Sequence, residues 1–193
     1  IIGNAAAKYK DNVEGVTFVG ADPVQEDLLL KVQDDLVWGD YYDLRFKRFA
    51  AVVGDNLADD LELKWGDDFQ LIRGSASIRV KAVGIIDTGT SLDSTLVYLP
   101  LETAQDLLGE GDVVSEVGMR LSDIYAAPAV AAELNNRTRY KAESWQDKSR
   151  DVLDMLGTQQ FYSILFYSFI FLISGLGIAN TMIMIISRRT KEI

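Results

Sequence analysis

The sequence predicts an α+β domain followed by a helical stalk and a single transmembrane α-helix. Three observations lead there. Residues 161–186 form one uncharged apolar run, FYSILFYSFIFLISGLGIANTMIMII, closed at once by Ser187-Arg188-Arg189-Thr190-Lys191. The residues before it mix alternating apolar segments with segments of helical spacing. No Pro-, Gly- or Ser-rich linker separates the two regions. A bilayer-spanning helix needs about 20 apolar residues at about 1.5 Å each. The run exceeds that by a turn or more, enough to tilt or to project beyond the lipid. A buried core helix of this length without a charge is hard to cover in so small a domain, and a signal peptide would lie at the other end.

Charge orients the helix. Its C-terminal flank holds Arg188, Arg189 and Lys191 against Glu192, a surplus of +2 that leaves −12 of the net −10 to the preceding residues. Basic residues beside a membrane helix favour the cytoplasm. The C-terminus is therefore expected in the cytoplasm and residues 1–160 outside it. An outer part so acidic does not suit nucleic acid. The chain has no His and no Cys, which removes Ser-His-Asp and Cys-His catalysis, thiol redox chemistry, disulfides and the usual zinc sites. It opens on Ile1 with neither Met nor signal sequence, and is expected to be a fragment cut at both ends.

Element by element, Val13–Val19 alternates as a strand and stops at Ala21-Asp22-Pro23. Asp34–Asp43 is a polar and aromatic turn region. Phe49–Val53 is a strand ended by Gly54, and Asp55 caps a short helix over Asn56–Leu61. Lys64-Trp65-Gly66-Asp67 is a turn. Strands over Phe69–Ile72 and Ile78–Ile86 are joined by Arg73-Gly74-Ser75. A strand over Thr95–Leu99 precedes a helix that Pro100 opens and Gly109 closes. Glu116–Leu121 then reads as a strand, Pro128–Asn135 as a helix and Arg139–Ala142 as a strand, a β-α-β unit. Ser144 and Asp147 have capping-box spacing. From there one helix is expected through Gln160 into the membrane, with Trp145, Val152, Leu153 and Leu156 on one side of a stalk over residues 144–160.

Ile85-Ile86-Asp87-Thr88-Gly89-Thr90-Ser91 resembles the signature of aspartic proteases. That chemistry needs two aspartates sharing a proton. One copy would demand a homodimer, and the Val52-Val53-Gly54 segment precedes it rather than following, so a tight turn is the plainer reading. The pairs Asp34-Asp35, Asp59-Asp60 and Asp67-Asp68 lack calcium-loop spacing. There is no Walker motif. Asn136-Arg137-Thr138 is a glycosylation sequon. In the apolar run, Gly175 with Ala179 and Gly177 with Thr181 are small-xxx-small pairs, and Asn180 would want a neighbouring helix.

Several segments resemble one family. Gly54-Asp55-Asn56-Leu57-Ala58 with Leu61-Glu62-Leu63-Lys64-Trp65-Gly66-Asp67 is similar to the "GxxLAxxLxLKVGD" stretch of ABC-transporter permeases of the MacB, LolC/LolE and FtsX type. Val80–Ile85 resembles their "FKVVGI" strand, and Leu96–Gln105 their "xVYxPLExAQ" element. Gly177-Ile178-Ala179-Asn180-Thr181-Met182 with Arg188–Ile193 resembles the end of their second membrane helix. The resemblance implies a porter-like α/β subdomain, residues 1–33 and 111–150, with an inserted β-rich sabre-like subdomain at 34–110. After the stalk it implies a transmembrane helix at 161–186 and a cytoplasmic segment at 187–193. It implies a non-catalytic permease subunit in the cell membrane, paired with a second permease copy and a separate cytoplasmic ATPase. No cofactor is expected on this chain, since ATP and Mg²⁺ belong to the ATPase. ATP binding would move the outer domains through the stalks, and Arg188, Arg189, Lys191 and Glu192 would meet the ATPase. The transported substrate is not implied. The alternatives are a membrane-anchored sensor or receptor domain and, less well supported, a single-site aspartic protease.

Overall fold

The computed structural model describes residues 1–189. They divide into two compact units after Arg120.

In the first unit, β1 (Ile2–Tyr9) and β2 (Asn12–Ala21) form an antiparallel hairpin from the Ile2–Val19 pair to the Tyr9–Asn12 pair. Helix α1 (Pro23–Leu30) starts where Asp22 accepts hydrogen bonds from the Val24 and Gln25 amides, with Pro23 in the first turn. That first turn has no intrahelical use for an N–H, so proline costs nothing there. A 3₁₀ turn at Val32–Asp35 leads to β3 (Leu36–Gly39), a one-turn helix α2 (Asp43–Phe46) and β4 (Ala50–Gly54). Helix α3 (Asp55–Leu61), the hairpin of β5 (Asp68–Arg73) and β6 (Ala76–Ile86), β7 (Leu96–Pro100) and α4 (Leu101–Leu108) complete the unit.

The strands run β3-β6-β4-β7-β2-β1-β5, and β5 pairs again with β6. Six of the seven therefore close into a ring, with β3 appended to β6. Closure removes the unpaired edge that an open sheet would expose. β4 and β7 are buried at every position, consistent with their unbroken apolar sequences. One core packs Phe18, Leu57, Leu61, Phe69, Leu71, Leu99 and Leu107. A second, on Val52, Val83 and Tyr98, is covered by Val32, Tyr41 and Leu44. Helix α4 lies so close to β2 that a Cβ on Gly20 would collide with Cβ of Ala104.

The second unit holds a 3₁₀ turn at Ile124–Ala126, α5 (Ala127–Arg137), the one-turn α6 (Trp145–Lys148) and α7 (Arg150–Arg189).

Several expectations change. Glu116–Leu121 and Arg139–Ala142 are not strands. Val117 and Met119 are exposed, so the first has no buried face to pair over. In the second, the Asn135 side chain takes both backbone groups of Ala142, at 2.7 and 2.9 Å, which leaves no ladder. The β-α-β unit is therefore absent. Asp55 is the first helical residue of α3 rather than its cap, a position taken by Gly54. The turn region at 34–43 contains β3. The boundary expected between residues 33 and 34 runs through a single sheet: β1 and β2 pair with β5 and β7, and the principal core draws on both sides.

Candidate coupling helix and membrane segment

The stalk begins at a built cap. The Ser144 hydroxyl accepts from the Asp147 amide at 3.2 Å, and the Asp147 carboxylate accepts from the Ser144 hydroxyl at 2.7 Å and its amide at 3.3 Å. Those bonds, the side-chain one foremost, hold the Asp147 carboxyl below its usual range, and Arg150 at 2.9 Å adds to the effect. The cap serves only α6. At Ser149 the backbone leaves helical geometry (φ −101°, ψ 13°), and α7 starts one residue later. Trp145 is therefore not on the same helix as Val152, Leu153 and Leu156. Its indole N–H instead donates to the Ile124 carbonyl at 2.9 Å, tying α6 to the 3₁₀ turn before α5. The expected continuous helix from residue 144 holds only from Arg150, and Gly157 does not interrupt it.

α7 is 40 residues long, about 60 Å at 1.5 Å per residue. Within it, Asp154–Ile186 is the one stretch among the described residues long and apolar enough to cross a membrane. A hydrocarbon core of about 30 Å takes up roughly half the helix. Val152 and Leu156 are exposed on its N-terminal part. Gly175 and Gly177 open onto free space where a Cβ would stand. At 100° per residue, Gly175 and Ala179 lie on one side and Gly177 and Thr181 on nearly the opposite one. Thr181 donates its hydroxyl to the Gly177 carbonyl at 2.8 Å, so it is satisfied within the helix. Ser168 and Thr158 do the same to Ile164 and Asp154, as hydroxyls in helices commonly do. The Asn180 side chain has no hydrogen-bond partner among the described residues. Arg188 and Arg189 close α7; Lys191 and Glu192 lie outside the described residues.

The Asp87-Thr88-Gly89-Thr90 signature is a turn. Asp87 is exposed and accepts from the Gly89 amide at 2.9 Å. The buried acid is Asp93, 1% exposed, which accepts from the Thr88 and Thr90 amides and the Thr88 hydroxyl at 2.9–3.2 Å. Thr90 and Asp93 form a capping box, a spacing visible in the sequence as Thr-x-x-Asp. Among the described residues no group of three or more acidic side chains could hold a metal ion.

Comparison with known proteins gives the following. The family model described as the MacB-like periplasmic core domain matches residues 2–137. The extracellular domain of the noncanonic ABC-type transporter YknZ from Gram-positive bacteria has the same fold at 19% identity and TM-score 0.50, covering 73% of this chain and 75% of that one. A domain of a putative permease protein from Porphyromonas gingivalis is 15% identical with TM-score 0.43, over 70% of this chain and 60% of that one.

Proposed function

Because the chain belongs to the family of MacB-like periplasmic core domains, a component of ABC-transporter permeases, we propose that it is the outer domain and second membrane helix of a permease that works by mechanical transmission. A separate cytoplasmic ATPase binds and hydrolyses ATP. The resulting displacement passes along α7 to the outer domain, which moves substrate outside the cytoplasm. Residues 1–160 are extracytoplasmic and the C-terminus is cytoplasmic. Arg188, Arg189, Lys191 and Glu192 face the ATPase, and two permease copies pair in the membrane.

The observation that carries this reading is that α7 is unbroken from Arg150 to Arg189. A helix transmits displacement only where it neither bends nor unwinds. The hydrogen-bonded backbone of α7 continues well past the length a bilayer needs, so a shift at its cytoplasmic end is delivered at Arg150. Gly175, Gly177, Ala179, Asn180 and Thr181 provide the close-packing positions against neighbouring membrane helices, where small residues let backbones approach.

The test uses the full-length permease co-expressed with its genomically adjacent ATPase and purified in detergent. A stable complex that hydrolyses ATP is expected. Two folded proteins that fail to associate would leave a membrane-anchored sensor as the better reading. In the working complex, a flexible Gly/Ser insertion after Asp154 is expected to preserve ATP hydrolysis and abolish transport. Transport that survives the insertion removes mechanical transmission through α7.

A further inference from the structure

The first unit is strongly acidic, yet three of its cations converge. Pairing of β1 with β5 ends at Lys8 and Gln70, while β5 continues beside β6 to the Asp68–Lys81 pair. A cleft of about 360 Å³ opens there, lined among others by Lys8, Tyr9, Lys10, Asp68, Gln70 and Arg79. Lys8, Gln70 and Arg79 form one transverse row across three strands. Their neighbours Ala7, Leu71 and Val80 are buried, so the alternation of a strand turns the row outward. Two interstrand spacings, about 10 Å, separate the Lys8 and Arg79 backbones, a gap that two long side chains close on one bound group.

Two of these cations, Lys8 and Arg79, are uncompensated, while Lys10 acts on the Asp67 carboxylate, which accepts from the Tyr9 hydroxyl at 2.7 Å beside the cleft. Among the described residues neither the Lys8 nor the Arg79 side chain has an ion-pair or hydrogen-bond partner. The Lys10 ammonium lies 4.5 Å from the Tyr9 ring centroid, and its backbone is held at φ 53°. A left-handed lysine is uncommon and fixes where that side chain starts. The single acid in the lining, Asp68, already faces Lys81 at 3.8 Å. The lining residues therefore carry two positive charges beyond neutrality.

We propose that this cleft binds a dianionic oxyanion, a phosphate group either free or carried as a monoester on a larger ligand. Arg79 supplies a fork that matches two phosphate oxygens, the two lysines supply point charges, and the Gln70 amide adds a neutral donor. The inference stands apart from coupling to an ATPase and is tested by binding alone.

The whole chain, in detergent and low-salt zwitterionic buffer at about pH 8, is titrated calorimetrically with inorganic phosphate and with glycerol 3-phosphate, both dianions there. Saturable one-to-one binding of at least one is expected, with Kd below about 1 mM. Tighter binding of the ester marks a phosphorylated ligand; tighter binding of the ion marks free phosphate. Lys8→Gln with Arg79→Gln is expected to weaken binding about tenfold or more, as loss of charge-assisted hydrogen bonds does. Lys31→Gln with Arg73→Gln, two exposed cations outside the cleft, leaves it unchanged. Absence of saturation, or an equal loss in both double variants, overturns the proposal. A readout on the unaltered chain guards against misfolding: phosphate should slow acylation of Lys8 and Lys10 but not of Lys31, and equal rates at all three reject the site.

Discussion

Asp87 and Asp93 share one loop, and only Asp93 faces inward. Removing the Asp93 carboxylate leaves two amides and a hydroxyl without their acceptor, and bonds to a charged group contribute about 1.5–3 kcal/mol each before relaxation. Asp93→Ala is expected to lower unfolding free energy by about 2–4 kcal/mol in denaturant titration. Asp87→Ala, losing one exposed turn bond, should cost under about 1 kcal/mol. Equal losses would mean the loop is not held from Asp93. Tyr41 and Tyr98 make a second residue-scale case, meeting edge to face with ring centroids 5.4 Å apart. Burial, helped by Glu26, Asp35 and Asp93, pushes the Tyr98 hydroxyl up to about 12. Burial likewise raises Tyr41 far above its ordinary value, with Tyr98 and nearby acids adding to it. A raised folded value favours the fold fully below the unfolded tyrosine value of about 10, and that contribution is lost as pH rises through the folded value. Stability should therefore fall between about pH 10 and 12, and Tyr98→Phe should flatten the fall. Melting temperatures across that range check this; an unchanged slope in the variant contradicts it.

At the scale of elements, the cap on α6 and the body of α7 separate two properties that sequence periodicity merges. Ser144-Trp145-Gln146-Asp147 was legible as a helix start because its capping residues are local. The break at Ser149 was not, since serine is tolerated in helices and no Pro or Gly marks the spot. The apolar run was legible throughout because lipid demands the same composition at every turn. β1 carries no such signal for a different reason: Ile2–Tyr9 is rich in small residues, and its burial comes from partners on either side rather than from its own alternation. α1, absent from the sequence expectations, does carry a local helix-start signal in Asp22-Pro23. The coupling positions on α7 remain sequence expectations that the insertion after Asp154 addresses, and that test belongs to the helix as a whole rather than to any one side chain on it.

At the scale of the whole molecule, the lack of cysteine makes topology directly measurable. Tyr140→Cys, at a residue 85% exposed, should react with a membrane-impermeant maleimide in intact cells. Lys191→Cys should react only after the membrane is opened. The reverse pattern would invert the orientation drawn from Arg188, Arg189 and Lys191. Family and fold class could be read from the sequence because they rest on motifs that also shape the sheet, such as Leu61–Asp67 and Leu96–Gln105. The single ring of strands could not, because ring closure is a long-range pairing that no window of sequence contains. Its order of assembly follows from where β7 lies. β7 is the last strand among the described residues, yet it sits between β4 and β2. In the proposed orientation the chain emerges across a membrane, and the ring stays open until residues 96–100 arrive to be inserted between strands already made. Until then β2 and β4 each present a raw side, so the interval before Leu96 appears is when the emerging chain is most open to mispairing.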